Sequence, residues 1–248
     1  MDPIPIKKLN GLEAFMQNGV PVGLTLSDFW AWAFSDCINN TTRGILAEFL
    51  VAAALGIDLG KPRDAWSKYD LEYLGKGIEV KSASYHQRWY QAKESTISFK
   101  VPPRLGWDAE TNKQDTVPKR HAFIYVLCHL AEQERLRVDP LDTDQWKFWV
   151  VPTSFFDGRI RSQHSITLAS LIKEVKEGQG PIAFGQIREQ VDKLIPEAKT
   201  GDAVLTADAA HPVDAAVFIP EVRQLREMTA SHTLTDDELD AMIDEVRP

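Results

Sequence analysis

Residues 69–91 read YDLEYLGKGIEVKSASYHQRWYQ. Two runs of strand-forming residues, YDLEYLG and KGIEVKSASY, flank Gly75-Lys76-Gly77, so the stretch reads as a β-hairpin. Side chains two apart in a strand share a face. Glu79 and Lys81 therefore point one way, while Ile78 and Val80 point the other way, into a core. With Gly75 and Lys76 as a two-residue turn, Leu74 pairs with Gly77 and Asp70 falls opposite Lys81. A three-residue turn would send Asp70 to the other side unless a bulge restored the register. The expectation is a two-residue turn or a bulge, with Asp70, Glu79 and Lys81 on one face; Glu72 is a weaker candidate for the same place.

Two carboxylates that approach closely repel each other unless a cation lies between them. Mg²⁺ needs only a few carboxylates, because it completes its shell with water and phosphate oxygens. A lysine beside such a site can orient or activate water and stabilise charge on a phosphoryl group. A further acid comes from NTTRGILAEFLVAAALG, which reads as a helix from Thr42 to Leu55 stopped by Gly56. After Arg43, Glu48 is the only charge in that helix. It shares a stripe with Ile45, Ala52 and Leu55, and a carboxylate on a core-like face needs a partner or a metal. The bland alternatives are a surface ion pair for Glu79 and Lys81, and a solvent-reaching Glu48 beside Arg43.

The series Glu48, then Asp70, then Glu79-Val80-Lys81 after eight intervening residues resembles the PD-(D/E)XK nuclease superfamily, which includes restriction endonucleases. Tyr69 stands where the motif's proline would be. The wider pattern, LSDFWAWAFSD, TTRGILAEFLVAAALG, IEVKSASYHQRWYQ and WKFWVVPTSFF, is similar to bacterial restriction-endonuclease-like proteins over roughly residues 24–175. The resemblance implies an α/β fold with a mixed central sheet flanked by helices. It also implies Mg²⁺ or Mn²⁺ bound by Asp70, Glu79 and the Val80 carbonyl, water activation by Lys81 and a supporting role for Glu48. Its functional expectation is a metal-dependent endonuclease acting on DNA, in a restriction or defence setting. The alternative is a catalytically idle nuclease-like module that binds nucleic acid or a partner protein.

Charge distribution agrees with a nucleic-acid partner better than the net charge of −8 does. Eleven acids against three arginines from Gly201 onward account for all of that excess, so residues 1–200 are neutral overall. From Lys81 to Arg120 eight basic residues oppose four acids. Gln87, Arg88, Gln91, Lys93, Lys100, Arg104, Lys119 and Arg120 are the candidate nucleic-acid contacts. Trp89 and Tyr90 could stack on bases, though packing into a core is the stronger expectation. None of the six His has metal-ligand spacing. Cys37 and Cys128 are too few for a disulfide framework, and the absence of an apolar leader points to a cytoplasmic protein.

Further elements complete the expected architecture. TLSDFWAWAFSDCINN reads as a helix capped by Ser27 with a dense aromatic face, TISFKV as a short strand, and HAFIYVLCHL and QWKFWVVPTS as strong strands. SITLASLIKEVKEG reads as a helix. Residues 1–200 form the expected nuclease domain. Residues 201–248 form an acidic linker and a tail helix capped by Thr235, a possible docking element for a partner protein. A homodimer is compatible with the aromatic content.

Overall fold

The computed structural model describes residues 6–65, 67–108, 113–159, 164–176 and 179–195, and in them the chain opens with a hairpin. Strands β1 (Ala14–Gln17) and β2 (Val20–Thr25) pair antiparallel around Asn18 and Gly19. Helix α1 (Leu26–Phe34) follows at once. Its cap is Thr25 rather than Ser27. The Thr25 hydroxyl accepts from the Asp28 N–H at 3.4 Å and the Asp28 carboxylate accepts from the Thr25 N–H at 2.7 Å, a closed capping box that places Ser27 inside the first turn. The aromatic face of α1 is present but none of it is buried, and Trp32 is 85% exposed.

Helix α2 (Asn40–Leu55) starts two residues before Thr42 because Asn39 caps it, accepting from the Thr41 N–H at 2.9 Å. Gly56 ends it at φ 71°, donating its N–H to the carbonyls of Ala52 and Ala53. Strands β3 (Leu71–Tyr73) and β4 (Lys76–Ser84) then form the expected hairpin, with a correction to its turn. Tyr73 pairs with Lys76, so Leu74 and Gly75 make the two-residue turn, at φ 49° and 69°. The turn lies one residue earlier than the glycines suggest. Sliding it moves the pairing by two residues, which preserves every side chain's face. Continued one step past Leu71↔Ile78, the ladder brings Asp70 opposite Glu79 instead of Lys81.

Strands β5 (Ser98–Lys100), β6 (Trp107–Asp108) and β7 (Lys113–Gln114) lie in the basic excursion. They are followed by β8 (Ile124–Leu130), β9 (Trp146–Pro152), α3 (Ser154–Asp157), β10 (Ser165–Thr167), α4 (Leu168–Glu174) and α5 (Ile187–Leu194). The expected helix from Ser165 begins only at Leu168. Residues Ser165–Thr167 pair instead with β5, and Thr167 caps α4. The central sheet has the order β3-β4-β8-β9, with β4 and β8 parallel and the other neighbours antiparallel.

The chain is thus mixed α/β, with a mixed-orientation sheet flanked by helices. Alternation along the strands divides the core. Ile78, Val80, Ile124, Val126, Phe148 and Val150 pack with Ala47, Leu50 and Val51 of α2 and with Ile187 and Val191 of α5. Tyr125, Leu127, Trp149 and Val151 face the other layer, built from the β5–β10 ribbon, α3 and α4. No helix among the described residues is long and apolar enough to cross a membrane. The chain divides into two units, Met1–Glu197 and Ala198–Pro248. The expected acidic linker and Thr235-capped helix lie outside the described residues.

Candidate active site

Gly77 makes room for the approach of Asp70 to β4. A Cβ on Gly77 would lie 2.4 Å from the Tyr69 ring, so only glycine lets that ring rest on the strand. The Tyr69 hydroxyl donates to Glu72 at 2.6 Å, which gives Glu72 a role away from the Asp70 and Glu79 carboxylates. Next to Tyr69, Asp70 accepts the Val80 N–H at 2.7 Å, its carboxylate standing in for a strand partner just beyond the end of the ladder.

Three oxygens then converge on one cation. The Lys81 ammonium lies 2.5 Å from Glu79 Oε1, 3.1 Å from the Val80 carbonyl and 3.5 Å from Asp70 Oδ2. The three side chains are only 15–22% exposed. Burial raises the Glu79 carboxyl pKa; Lys81 pulls it down and Asp70 pushes it up again. This arrangement concentrates negative charge on two carboxylates that one ammonium shares.

The same three donors, Asp70, Glu79 and the Val80 carbonyl, are all oxygens, which suits a hard divalent cation. Among the described residues, no group of three or more His, Cys, Asp or Glu side chains converges as a metal site. A metal here would therefore rest on two carboxylates and one carbonyl, with water and substrate filling its other positions. The Lys81 ammonium already reaches all three oxygens, so the donors fit a small cation.

Glu48 is buried, as its helix stripe requires, but its counter-charge is Arg63. The Arg63 Nη2 donates to Glu48 Oε1 at 2.9 Å and Nε donates to Oε2, a two-pronged pair of the strong kind. Burial raises the Glu48 pKa and the Arg63 hydrogen bond opposes it; Asp70 raises it and Lys81 lowers it through space. Glu48, Arg63 and Asp70 wall one cavity of about 740 Å³. Arg63 had no sequence signal, since a loop residue fifteen positions beyond a helix acid bears no periodic relation to it.

The expected nucleic-acid contacts divide into four groups. Gln87 and Gln91 tie the loop after β4 together: Gln91 accepts from the Gln87 N–H at 2.6 Å and donates to Ser95 at 2.9 Å, while Gln87 donates to the Ser84 carbonyl at 3.1 Å. Arg88 pairs with Asp36 at 3.1 Å and Lys119 with Asp115 at 3.7 Å. Arg120 is built into the fold, its side chain 5% exposed, bonded to Asp157 and to the Val101 carbonyl and set over the Phe156 ring. Lys93, Lys100 and Arg104 are exposed, and Arg104 lies near enough to Glu79 to act on its charge. Trp89 and Tyr90 do not pack into a core: both stand in solvent, Tyr90 at 88%.

Compared with family models, curated proteins and solved structures, the chain matches none. What the site can do therefore follows from its own residues.

Proposed function

We propose that the chain is a metal-dependent nuclease, hydrolysing phosphodiester bonds in DNA with Mg²⁺ or Mn²⁺ at Asp70, Glu79 and the Val80 carbonyl. The observation that carries this reading is the convergence of those three oxygens on Lys81 Nζ, all within 3.5 Å. A divalent ion held by them supplies a water of lowered pKa and neutralises charge on the phosphoryl oxygens.

The chain's own residues supply the rest. Asp70 is fixed by the Val80 N–H, so its carboxylate keeps its direction without help from substrate. Burial keeps Glu79 in a low-dielectric setting where its pull on a cation is strong. Lys81 carries only donors, so it can orient an attacking water and steady the phosphoryl oxygens, but cannot act as a metal ligand while charged. Glu48, neutralised by Arg63, holds the wall behind Asp70 and is a positioning residue in this reading. Exposed Trp89 and Tyr90 offer stacking surfaces on the loop that follows. The restriction-endonuclease-like fold and a defence setting belong to this same proposal, on the resemblance of the motif.

The test is nicking of supercoiled plasmid with Mg²⁺ or Mn²⁺ by the native chain, Glu79→Ala and Lys81→Ala, with an EDTA control. Metal-dependent cutting lost in both variants supports the proposal. Absence of both cutting and calorimetric metal binding would sink it, leaving the cluster as an ion group in a binding module.

A further inference from the structure

Lys81 also borders a second groove, of about 390 Å³, whose walls contain no carboxylate. It is bounded by the first turn of α2, with Asn40 and Arg43, and by Ser84, Gln87 and Lys100 across from them. Three cations and several hydroxyl and amide groups therefore share one acid-free groove, in a chain whose net charge is −8. The N-terminal end of a sixteen-residue helix adds its positive pole.

Arg43 is the anomaly. The residue is 3% exposed, yet among the described residues no carboxylate pairs with it. Its Nη1 donates to the Ile38 carbonyl at 2.9 Å and its Nη2 to Asn40 Oδ1 at 2.6 Å, but the buried Nε has no acceptor. Buried ions are ordinarily paired, because desolvation without a counter-charge is costly. Burial alone acts on the guanidinium and lowers its pKa, with no anion working against it. Gln87, on the same groove, has a buried Oε1 that receives no donor. A cation lacking an anion and an acceptor lacking a donor thus face one cavity.

We infer that this groove seats a phosphate of the bound DNA strand, adjacent to the phosphodiester addressed by Lys81, with Arg43, Lys100 and the first turn of α2 as its holders. The inference rests on the nuclease reading for the identity of the strand, and it gives that site a direction. The strand runs from the carboxylate cluster across Lys81 toward α2. Gln87 Oε1 is then placed to accept from a base amino group of the same nucleotide.

The test is fluorescence anisotropy of a short labelled DNA duplex with the full chain in EDTA, across a salt series, with inorganic phosphate as competitor. Lys100 is exposed and makes no described ion pair, so Lys100→Ala leaves the fold intact. It is expected to weaken binding about tenfold and to lower the salt slope by about one. Arg43→Gln is expected to weaken binding more, Arg43→Lys to recover part of it, and circular dichroism checks that each is folded. Inorganic phosphate should compete with DNA on the native chain and lose that effect in Lys100→Ala. Affinity and slope unchanged in Lys100→Ala would overturn the inference, as would phosphate binding without any DNA binding. Plasmid cutting is scored separately. Cutting with an unaltered Lys100→Ala removes the groove and leaves the nuclease; no cutting, with DNA binding lost in Lys100→Ala, removes the nuclease and leaves the groove.

Discussion

Two hairpins among the described residues have the same kind of turn and opposite fates. Asn18-Gly19 and Leu74-Gly75 both place two successive residues at positive φ, the signature of the turn that suits strand twist. The first uses the residues such a turn favours, yet β1 and β2 are exposed along almost their whole length. The second puts a leucine where a side chain is strained, yet β4 sits inside the central sheet. Turn chemistry holds β1 and β2, whereas β4 is held by seven consecutive parallel pairs with β8 and by Ile78 and Val80 in the core. The candidate site lies on the second hairpin, where register is fixed from outside the turn. Preorganised chemistry needs that, because carboxylates placed by a lone turn would shift with it.

Substitution of the charges gives the largest effect. Glu79→Ala or Lys81→Ala should lower plasmid nicking by about 10³-fold, in the range that removing one catalytic group costs. Because β8 and the core hold β4, the same variants should keep the native circular dichroism spectrum. A variant that loses activity by unfolding would break the comparison.

The next effect lies at the far end of the β4–β8 ladder. His129, paired in register with Ala83, is buried with no partner at Nε2, and burial lowers its pKa to about 4. The unfolded chain protonates it near 6.5, so between those values the unfolded state binds more protons. Stability should therefore be full above pH 6.5 and fall as pH drops toward 4, by about 3 kcal/mol from this residue alone. His129→Phe should flatten that part of the urea-denaturation pH profile. Hydrogen exchange sharpens it: acid should loosen β4 and β8 amides in the native chain while leaving β1 and β2 unchanged.

What the sequence makes legible follows the same division. Period-two alternation puts Glu79 and Lys81 on one face whatever the turn, and the slide from Gly75-Lys76 to Leu74-Gly75 leaves that result untouched. The helix stripe of α2 requires a buried Glu48, but says nothing about Arg63, which comes from a loop. The hairpin at Asn18-Gly19 goes unread in the sequence although its turn residues favour it, whereas Leu74 gives no signal for the positive φ it adopts. Trp89 and Tyr90 look like core residues by hydrophobicity, yet both stand in solvent, which hydrophobicity alone does not foretell. The extent of Arg43 burial is equally hidden, because helix periodicity does not say what meets the first turn of α2.

A moderate effect should come from Gly77, where the hairpin meets its neighbour. Gly77→Ala places a methyl group against the Tyr69 ring, so the ring must leave and Asp70 loses its bond to Val80. Expected is a loss of about 2 kcal/mol in denaturant stability, with weakened metal binding. Tyr69→Ala in the same chain should restore stability without restoring the metal, since the ring positions Asp70. Additive losses in that double-mutant cycle would mean that ring and glycine do not act together.

The smallest effect tests the turns directly. Leu74→Asn relieves a side chain at φ 49° and should raise stability by about 1 kcal/mol. Asn18→Leu imposes the same strain on the first hairpin, at φ 50°. Its cost in global stability should be far smaller, because an exposed hairpin can open without disturbing the core, and exchange of β1 and β2 amides should report the opening instead. If Asn18→Leu lowers the global midpoint as much as Leu74→Asn raises it, the two hairpins unfold as one cooperative unit. The independence of the exposed hairpin from the sheet would then be wrong, while the anchoring of β4 by β8 would stand.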